Sequence, residues 1–316
     1  MTPLGEAHRS AAANVLSPAA LDWLMAGDPA IRWQVLRDLA DASAAEVEAE
    51  RARVAAEGWG ARLLAEQDDD GRWAGALYSP KWVSTTYTLL LLYWLGLPPG
   101  NERALAGCRQ LWDGGLVFGP RGGQPETCEA GMAVLLSAGL GYLGGEPQIE
   151  RAVQWLLGEQ LDDGGWNCEA RRTGSRHGSF HTSISALDAL TEYRKAGGQQ
   201  EVEAAVVRGQ EFFLAHRLYR SHRTGEPAKP AFQRYPFPPQ WHFDVMRGLE
   251  HFRIWNVRDA RLEEAVDLVR RGRKRDGTWH RHSPYPGRYW FELEPPGPSR
   301  WATLRAARVL RWWDGL

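Results

Sequence analysis

Apolar residues recur at helical spacing along almost the whole chain, and no segment sustains the period-two alternation of a half-buried strand. The spacing predicts helices over 18–26, 29–41, 43–66, 81–96, 101–112, 125–142, 147–159, 179–196, 199–217, 239–255, 259–273 and 298–313. Pro29, Pro80, Pro125, Pro147, Pro239 and Pro298 stand at or near first turns, where a missing N–H costs nothing. Gly27, Gly96, Gly145 and Gly197 stand where helices should stop. The pattern is that of an all-α protein.

The helices are of two kinds, and they alternate. Those starting near 43, 101, 147, 199 and 259 are charged and amphipathic, as in IERAVQWLL and RLEEAVDLVRRG. Those starting near 81, 125, 179, 239 and 298 mix small residues with Leu and Val, as in ETCEAGMAVLLSAGL, and a helix apolar or small on most faces is enclosed on most faces. The connection from the first kind to the second also repeats: EQDDDGRW, LWDGGLVF, EQLDDGGW and RKRDGTW. Its landmarks Trp73, Leu116, Trp166 and Trp279 are 43, 50 and 113 residues apart, the last being two repeats. A period near fifty with one outer and one inner helix is an array of helical hairpins. Counting the pair 18–26 and 29–41 there are six, enough to close as an α6/α6 toroid over 18–316, with 1–17 a flexible N-terminus. An open solenoid is the alternative. The terminal helix RWATLRAARVLRWW lacks the polar cap of a free end and favours closure.

Composition narrows the function. Hydrophobic residues at 43% and charged residues at 24% exclude a disordered chain. A formal charge of −1 argues against a nucleic-acid carrier or a polybasic membrane binder. Of 38 basic residues only Lys81, Lys195, Lys229 and Lys274 are lysine, which leaves 34 arginines. Sixteen tryptophans point to aromatic-lined cavities or packed helix seams. The longest apolar run, 87–97, is too short to span a bilayer, and the first twenty residues hold no signal-peptide core. Three cysteines cannot build a disulfide framework, so the expectation is a cytoplasmic chain in a reducing compartment.

Closure would bring the inner-helix starts to one mouth. They hold Trp82, Ser84 and Thr85; Glu126 and Cys128; Phe180 and His181; Trp241, His242 and Asp244; Arg300 and Trp301. The loops add Trp73, Tyr78, Arg121, Cys168, Arg220, His222, Arg223, Tyr289 and Glu292. Aromatic walls with a few convergent polar groups suit a small-molecule site, and helix N-termini favour an anion or thiolate there. Candidate substrate contacts are Trp82, Arg121, Arg220, His222, Arg223, Trp241, Tyr289, Arg300 and Trp301, and candidate catalytic groups are Cys128, His181, His242 and Asp244. The arginine-rich loop 218–230 suits a diphosphate as well as it suits a plain surface.

The outer/inner pattern with EQLDDGGW-type connections resembles the superfamily of squalene cyclases and protein prenyltransferase β-subunits, most sharply over 116–190. In the prenyltransferases zinc is held by an Asp and a Cys two residues apart and by a His opening the next inner helix. Glu126-x-Cys128 and Phe180-His181-Thr182 match that layout, with Cys128 and His181 53 residues apart. The resemblance therefore implies zinc on Glu126, Cys128 and His181. Thiolate, imidazole and carboxylate suit that metal and leave a fourth position open. Glu in place of Asp at 126 leaves the third ligand open among Glu126, Asp244, His242 and Cys168. The resemblance also implies an isoprenoid or other apolar substrate, as the free compound or its diphosphate; no partner subunit is revealed. Proton-initiated cyclisation is disfavoured, because Asp68–Asp70 and Asp162–Asp163 lie in the repeated turns rather than at an inner-helix start. Two other functions compete with the prenyltransferase-like or terpene-cyclase-like enzyme. One is an α6/α6 glycosidase using Asp244 with Glu126 or Glu292. The other is a non-catalytic toroid that binds a lipid or peptide.

Overall fold

The computed structural model describes residues 6–119, 123–142, 147–198 and 200–316. The chain is mostly helical. Its N-terminal part holds α1 (Glu6–Ala12), α2 (Pro18–Met25), α3 (Pro29–Asp38), α4 (Ala44–Ala52), α5 (Gly58–Ala65), α6 (Thr85–Leu95) and α7 (Glu102–Asp113). Then come α8 (Thr127–Leu140), α9 (Pro147–Gly158), the short α10 (Ala170–Thr173), α11 (Phe180–Lys195) and α12 (Glu203–Ala215). The C-terminal part holds α13 (Val245–Ile254), α14 (Glu263–Arg271) and α15 (Arg300–Asp314). The strands found among the described residues are two-residue pieces, β1 (Trp279–His280) and β2 (Pro298–Ser299), paired antiparallel. No described helix is long and apolar enough to cross a membrane.

Local chemistry explains the boundaries. Ser17, Asp28, Asn101 and Ser299 each accept a backbone N–H in the first turn of the helix that follows. Ser43 and Glu46 cap each other reciprocally at the start of α4. Gly96 ends α6 at φ 85°, a left-handed conformation that suits glycine; Gly145 lies outside the described residues.

Four expectations change. The helix over 43–66 is two, α4 and α5, parted by a 3-10 turn at Arg53–Ala55 and by Gly58 at φ 64°. The helices expected from 81 and 239 begin at Thr85 and Val245; the residues before them are used otherwise, Trp82 packing on Tyr87 and bonding Pro286, and Trp241 stacking on His242. At 298 the two strand residues Pro298 and Ser299 precede the helix. The N-terminal segment expected to be flexible carries α1 and buries Ala12, Val15 and Leu16 in the core.

The two classes of helix are real. Among the inner ones, Thr85–Leu92 of α6 and most of α8, α11, α13 and α15 are buried, whereas α9 buries one stripe, Ile149, Ala152, Val153 and Leu156. Neighbours run α6 to α8, α8 to α11, α11 to α13, α13 to α15, and α15 to α3. The Trp33 indole and Gln34 amide of α3 donate to the Leu95 and Trp94 carbonyls of α6, at 2.9 and 3.3 Å. An ion network joins the two ends of the chain: Arg308 on α15 pairs with Asp38 on α3 and Glu250 on α13, and Arg305 binds Glu250 at 2.6 Å.

The repeated connection has one structural job. Trp73, Trp166 and Trp279 are fully buried, and each indole N–H donates at 2.7 Å to a carbonyl ten residues upstream, on Leu63, Leu156 and Val269. The backbone N–H of each is received by a hydroxyl in the next inner helix, Thr85, Ser183 or Thr303. One tryptophan thus fastens an outer helix to the inner helix after it. Gln67 and Gln160 repeat too, each donating to the turn glycine and to the following outer helix.

Candidate functional site

The connection after Trp166 carries Cys168 to the start of α11. The Cys168 N–H donates to Thr182 Oγ1 at 3.4 Å, and the Thr182 hydroxyl donates to Cys168 Sγ at 3.5 Å. Cys128, in the first turn of α8, lines the same cavity as Cys168, its Sγ directed at Glu126 Oε2 at 3.7 Å. That cavity, of about 220 Å³, is walled by Tyr78, Cys128, Met132, Cys168, His181 and Trp241, with exposed Lys81 also on its wall.

Trp241, on that wall, belongs to an aromatic stack. Trp241 stacks on His242 with ring centres 3.8 Å apart, and His242 stacks on Tyr285 at 3.6 Å and 8°. His181 meets this stack edge-on, 5.1 Å from Trp241 and 5.6 Å from His242. Its Nδ1 accepts the Phe243 backbone N–H at 2.9 Å. Burial first, then the nearby cations of Lys229 and Arg247, push His181 down to about 3. Burial likewise pushes His242 down to about 4, with Arg247, Lys81 and Lys229 adding to it. Both rings are therefore neutral at pH 7. The neighbouring Cys128 thiol favours the thiolate of Cys168, pulling it down to about 6, while Cys168 and burial push Cys128 up. Burial and Glu126 raise Glu129 to about 7.

The expected site residues disperse. Cys128, His181 and Trp241 share the cavity, with Tyr78 and Cys168 from the loops. Trp82 is buried, donates to the Pro286 carbonyl and touches His242 edge-on. Asp244 is fully buried, its Oδ1 capping α13 through the Arg247 N–H; burial raises it to about 6. Trp301 stacks on Phe237 at 3.7 Å, and Tyr289 lines a second cavity with Phe291 and Glu294. Arg300 turns away to the Trp23 carbonyl, because Gly27 leaves room for its chain. Arg220 is ion-paired to Glu264, His222 is bonded to His216, and Arg223 is exposed, all at another cavity or its margin. Trp73 and Thr85 serve the fastening described above, and Phe180 joins the cluster of Phe212, Phe213, Phe232 and Phe243. Arg121 lies outside the described residues. Sequence reasoning missed Met132 and Lys81 on the cavity wall and Tyr285 in the neighbouring stack. Met132 stands four residues after Cys128 on one helix face, which was the available signal.

Zinc on Glu126, Cys128 and His181 does not fit this arrangement. With Nδ1 of His181 accepting a backbone N–H, the neutral ring carries its proton on Nε2 and offers no free lone pair. Glu126 is exposed and touches Cys128 only at 3.7 Å. Of the alternative third ligands, Asp244 serves as a cap and His242 is sandwiched between rings, while Cys168 lines the cavity with Cys128. Among the described residues no three His, Cys, Asp or Glu side chains gather as a metal-holding group. The donor set in place is a dithiol.

No family model matches the chain, and no curated protein matches it. Among solved structures it is similar to a protein from Actinoplanes, with 16% identity, 91% of this chain and 90% of that one covered, and a TM-score of 0.46. It is also similar to the type II terpene cyclase MstE from Scytonema, with 14% identity, 83% and 97% covered, and a TM-score of 0.32. For that cyclase in complex with geranylgeranyl dihydroxybenzoate the values are 12%, 85%, 97% and 0.33. These likenesses are too distant to carry an activity to this chain.

Proposed function

We propose that the circuit α3, α6, α8, α11, α13, α15 is the inner ring of a closed toroid of six helical hairpins. We further propose that the chain is a prenyltransferase-like or terpene-cyclase-like enzyme taking an isoprenoid into the cavity beside Cys128. The observation that carries this reading is the lining of that cavity: Tyr78, Met132, Trp241 and neutral His181, with Trp241 held in a stack with His242 and Tyr285. Such a surface suits an apolar chain, and its ring faces stabilise an electron-deficient carbon. The Trp241 indole N–H is buried and finds no acceptor among the described residues.

Charge supports an anionic head group. Two of the four lysines stand here: Lys81 lies 5.2 Å from the Trp241 ring centre, and Lys229 lies 5.8 Å from that of Phe232, which packs on His181. The carbohydrate reading has less support, since Asp244 caps a helix and Glu292 pairs with Arg281.

Thermal shift with farnesyl diphosphate, farnesol and a maltooligosaccharide tests the reading, followed by mass spectrometry of the recovered ligand. Both prenyl compounds should raise the melting temperature, the diphosphate more. Trp241→Ala should abolish both shifts, and Lys81→Gln should remove the preference for the diphosphate. Stabilisation by the oligosaccharide alone would overturn the reading. Prenyl binding with unaltered ligand recovered would leave a non-catalytic lipid-binding protein.

A further inference from the structure

We infer that Cys128 and Cys168 form a reversible dithiol–disulfide site, oxidised by a small hydroperoxide that enters the cavity they line. Three observations carry this. The thiols come from separate elements, the first turn of α8 and the connection before α11, yet the fold brings them to the wall of one small cavity. Both are half-buried and lie on the cavity wall, within reach of a small reagent. The sulfur of Cys168 also receives the Thr182 hydroxyl at 3.5 Å, a donor that stabilises negative charge on that atom. Cys108 provides the contrast. It is fully buried on α7, directed at the Leu136 carbonyl at 3.8 Å, and lies apart from the cavity.

The chemistry balances with the hydroperoxide as the one oxidant. The Cys168 sulfur attacks the distal peroxide oxygen and the O–O bond breaks. A sulfenic acid forms, and the alcohol, or water from hydrogen peroxide, leaves with the proton of the Cys168 thiol. The Cys128 sulfur then attacks the sulfenic sulfur, the S–S bond forms, and the hydroxyl leaves as water with the Cys128 proton. Two thiols and one hydroperoxide give one disulfide, one alcohol and one water, with two electrons passing from sulfur to oxygen. The product links the first turn of α8 to the α11 connection beside the ligand cavity, and a dithiol reductant reverses it.

Peptide mapping of the intact chain decides the matter. After treatment with near-stoichiometric hydrogen peroxide or tert-butyl hydroperoxide, trypsin should release 122–151 joined to 152–171. The free-thiol count of the denatured chain should fall from three to one, and dithiothreitol should restore it. Cys168→Ser should slow oxidation of Cys128 about tenfold, and Cys128→Ser should leave a Cys168 sulfenic acid that dimedone traps. The wild-type map is decisive even if either variant folds poorly. A bridge to Cys108 or to a second chain, or sulfinic acid without a bridge, would overturn the assignment. So would thiols that stay unreacted because the purified chain carries one equivalent of zinc.

Discussion

The backbone N–H of Phe243 donates to Nδ1 of His181 at 2.9 Å, tying the first turn of α11 to the segment that enters α13. One bond thereby fixes the tautomer, the ring orientation against Trp241 and the position of the aromatic stack. It also makes His181 an acceptor that must stay neutral.

His181→Ala should leave the Phe243 N–H without its acceptor and cost about 1–3 kcal/mol, whereas His181→Asn keeps an acceptor and should recover part of it. The pH dependence follows from the depressed value of about 3, against an ordinary 6.5. Between those values the unfolded chain binds the proton and the folded chain does not, so this contribution to stability is lost as pH falls from 6.5 towards 3. Denaturant titration from pH 7 to pH 4 should show a flatter loss for His181→Asn than for the wild type. Equal slopes would remove the buried neutral ring from the account.

Asp244 runs the other way. Its carboxyl is raised to about 6 by burial, and its Oδ2 finds no partner among the described residues. Here the folded chain holds the proton that the unfolded one has released, so this group's contribution is lost as pH rises from 3.8 through 6. Asp244→Asn keeps the cap on α13 and removes the buried charge. It should stabilise the protein at pH 8 by up to about 3 kcal/mol and change little at pH 4. Urea unfolding at the two pH values measures the difference; destabilisation at both would show that the carboxylate has a partner.

Packing around the repeated tryptophan gives a sharper test. A Cβ on Gly209 would sit 2.8 Å from the Trp166 ring and 2.7 Å from Leu187, while one on Gly158 would meet nothing within 4 Å. Gly209→Ala should therefore cost about 1–3 kcal/mol by overpacking. Gly158→Ala, in the last turn of α9, should be neutral or stabilise by up to about 1 kcal/mol. Reversal of that order in thermal unfolding would mean that Trp166 does not hold α12 in place.

What the sequence made legible was what it repeats. Trp73, Trp166 and Trp279 occupy one environment three times, so the recurring link from one helix to the next could be read from their spacing. The cavity is not repeated. Cys128 and His181 were readable because each opens an inner helix, but Arg300 opens one too and leaves for Trp23, through space that only Gly27 provides. The stack of Trp241, His242 and Tyr285 joins segments more than forty residues apart, and nothing local to Tyr285 announces its partner. Similarly, Asp244 reads as a catalytic acid by position and turns out to be a cap, because position on a helix does not tell which way a short side chain bonds.

The ion network between the chain's ends provides the last prediction. Arg308 binds Asp38 at 3.2 Å and also pairs with Glu250, and all three side chains are at most 13% exposed. Burial alone would raise both acids, yet Arg37 and Arg308 hold Asp38 well below the usual carboxylate range, and Arg305 and Arg308 bring Glu250 to about 2. Arg308→Met keeps the volume and removes the charge, leaving Glu250 with Arg305 as its ion-pair partner and Asp38 with Arg37, Arg253 being near both. The loss should be about 3 kcal/mol, since an under-compensated buried carboxylate costs more than a surface pair gains. Arg172→Ala, which breaks an exposed pair with Glu169, should cost under about 0.5 kcal/mol. Depressed acids contribute stability above the ordinary carboxylate pKa and lose it as pH falls towards 2. The wild type should thus lose more on acidification from pH 5 to pH 2.5 than Arg308→Met does. If the variant unfolds at the same denaturant concentration as the wild type at pH 7, α15 is held on α3 and α13 by apolar packing, and the network is incidental to the join.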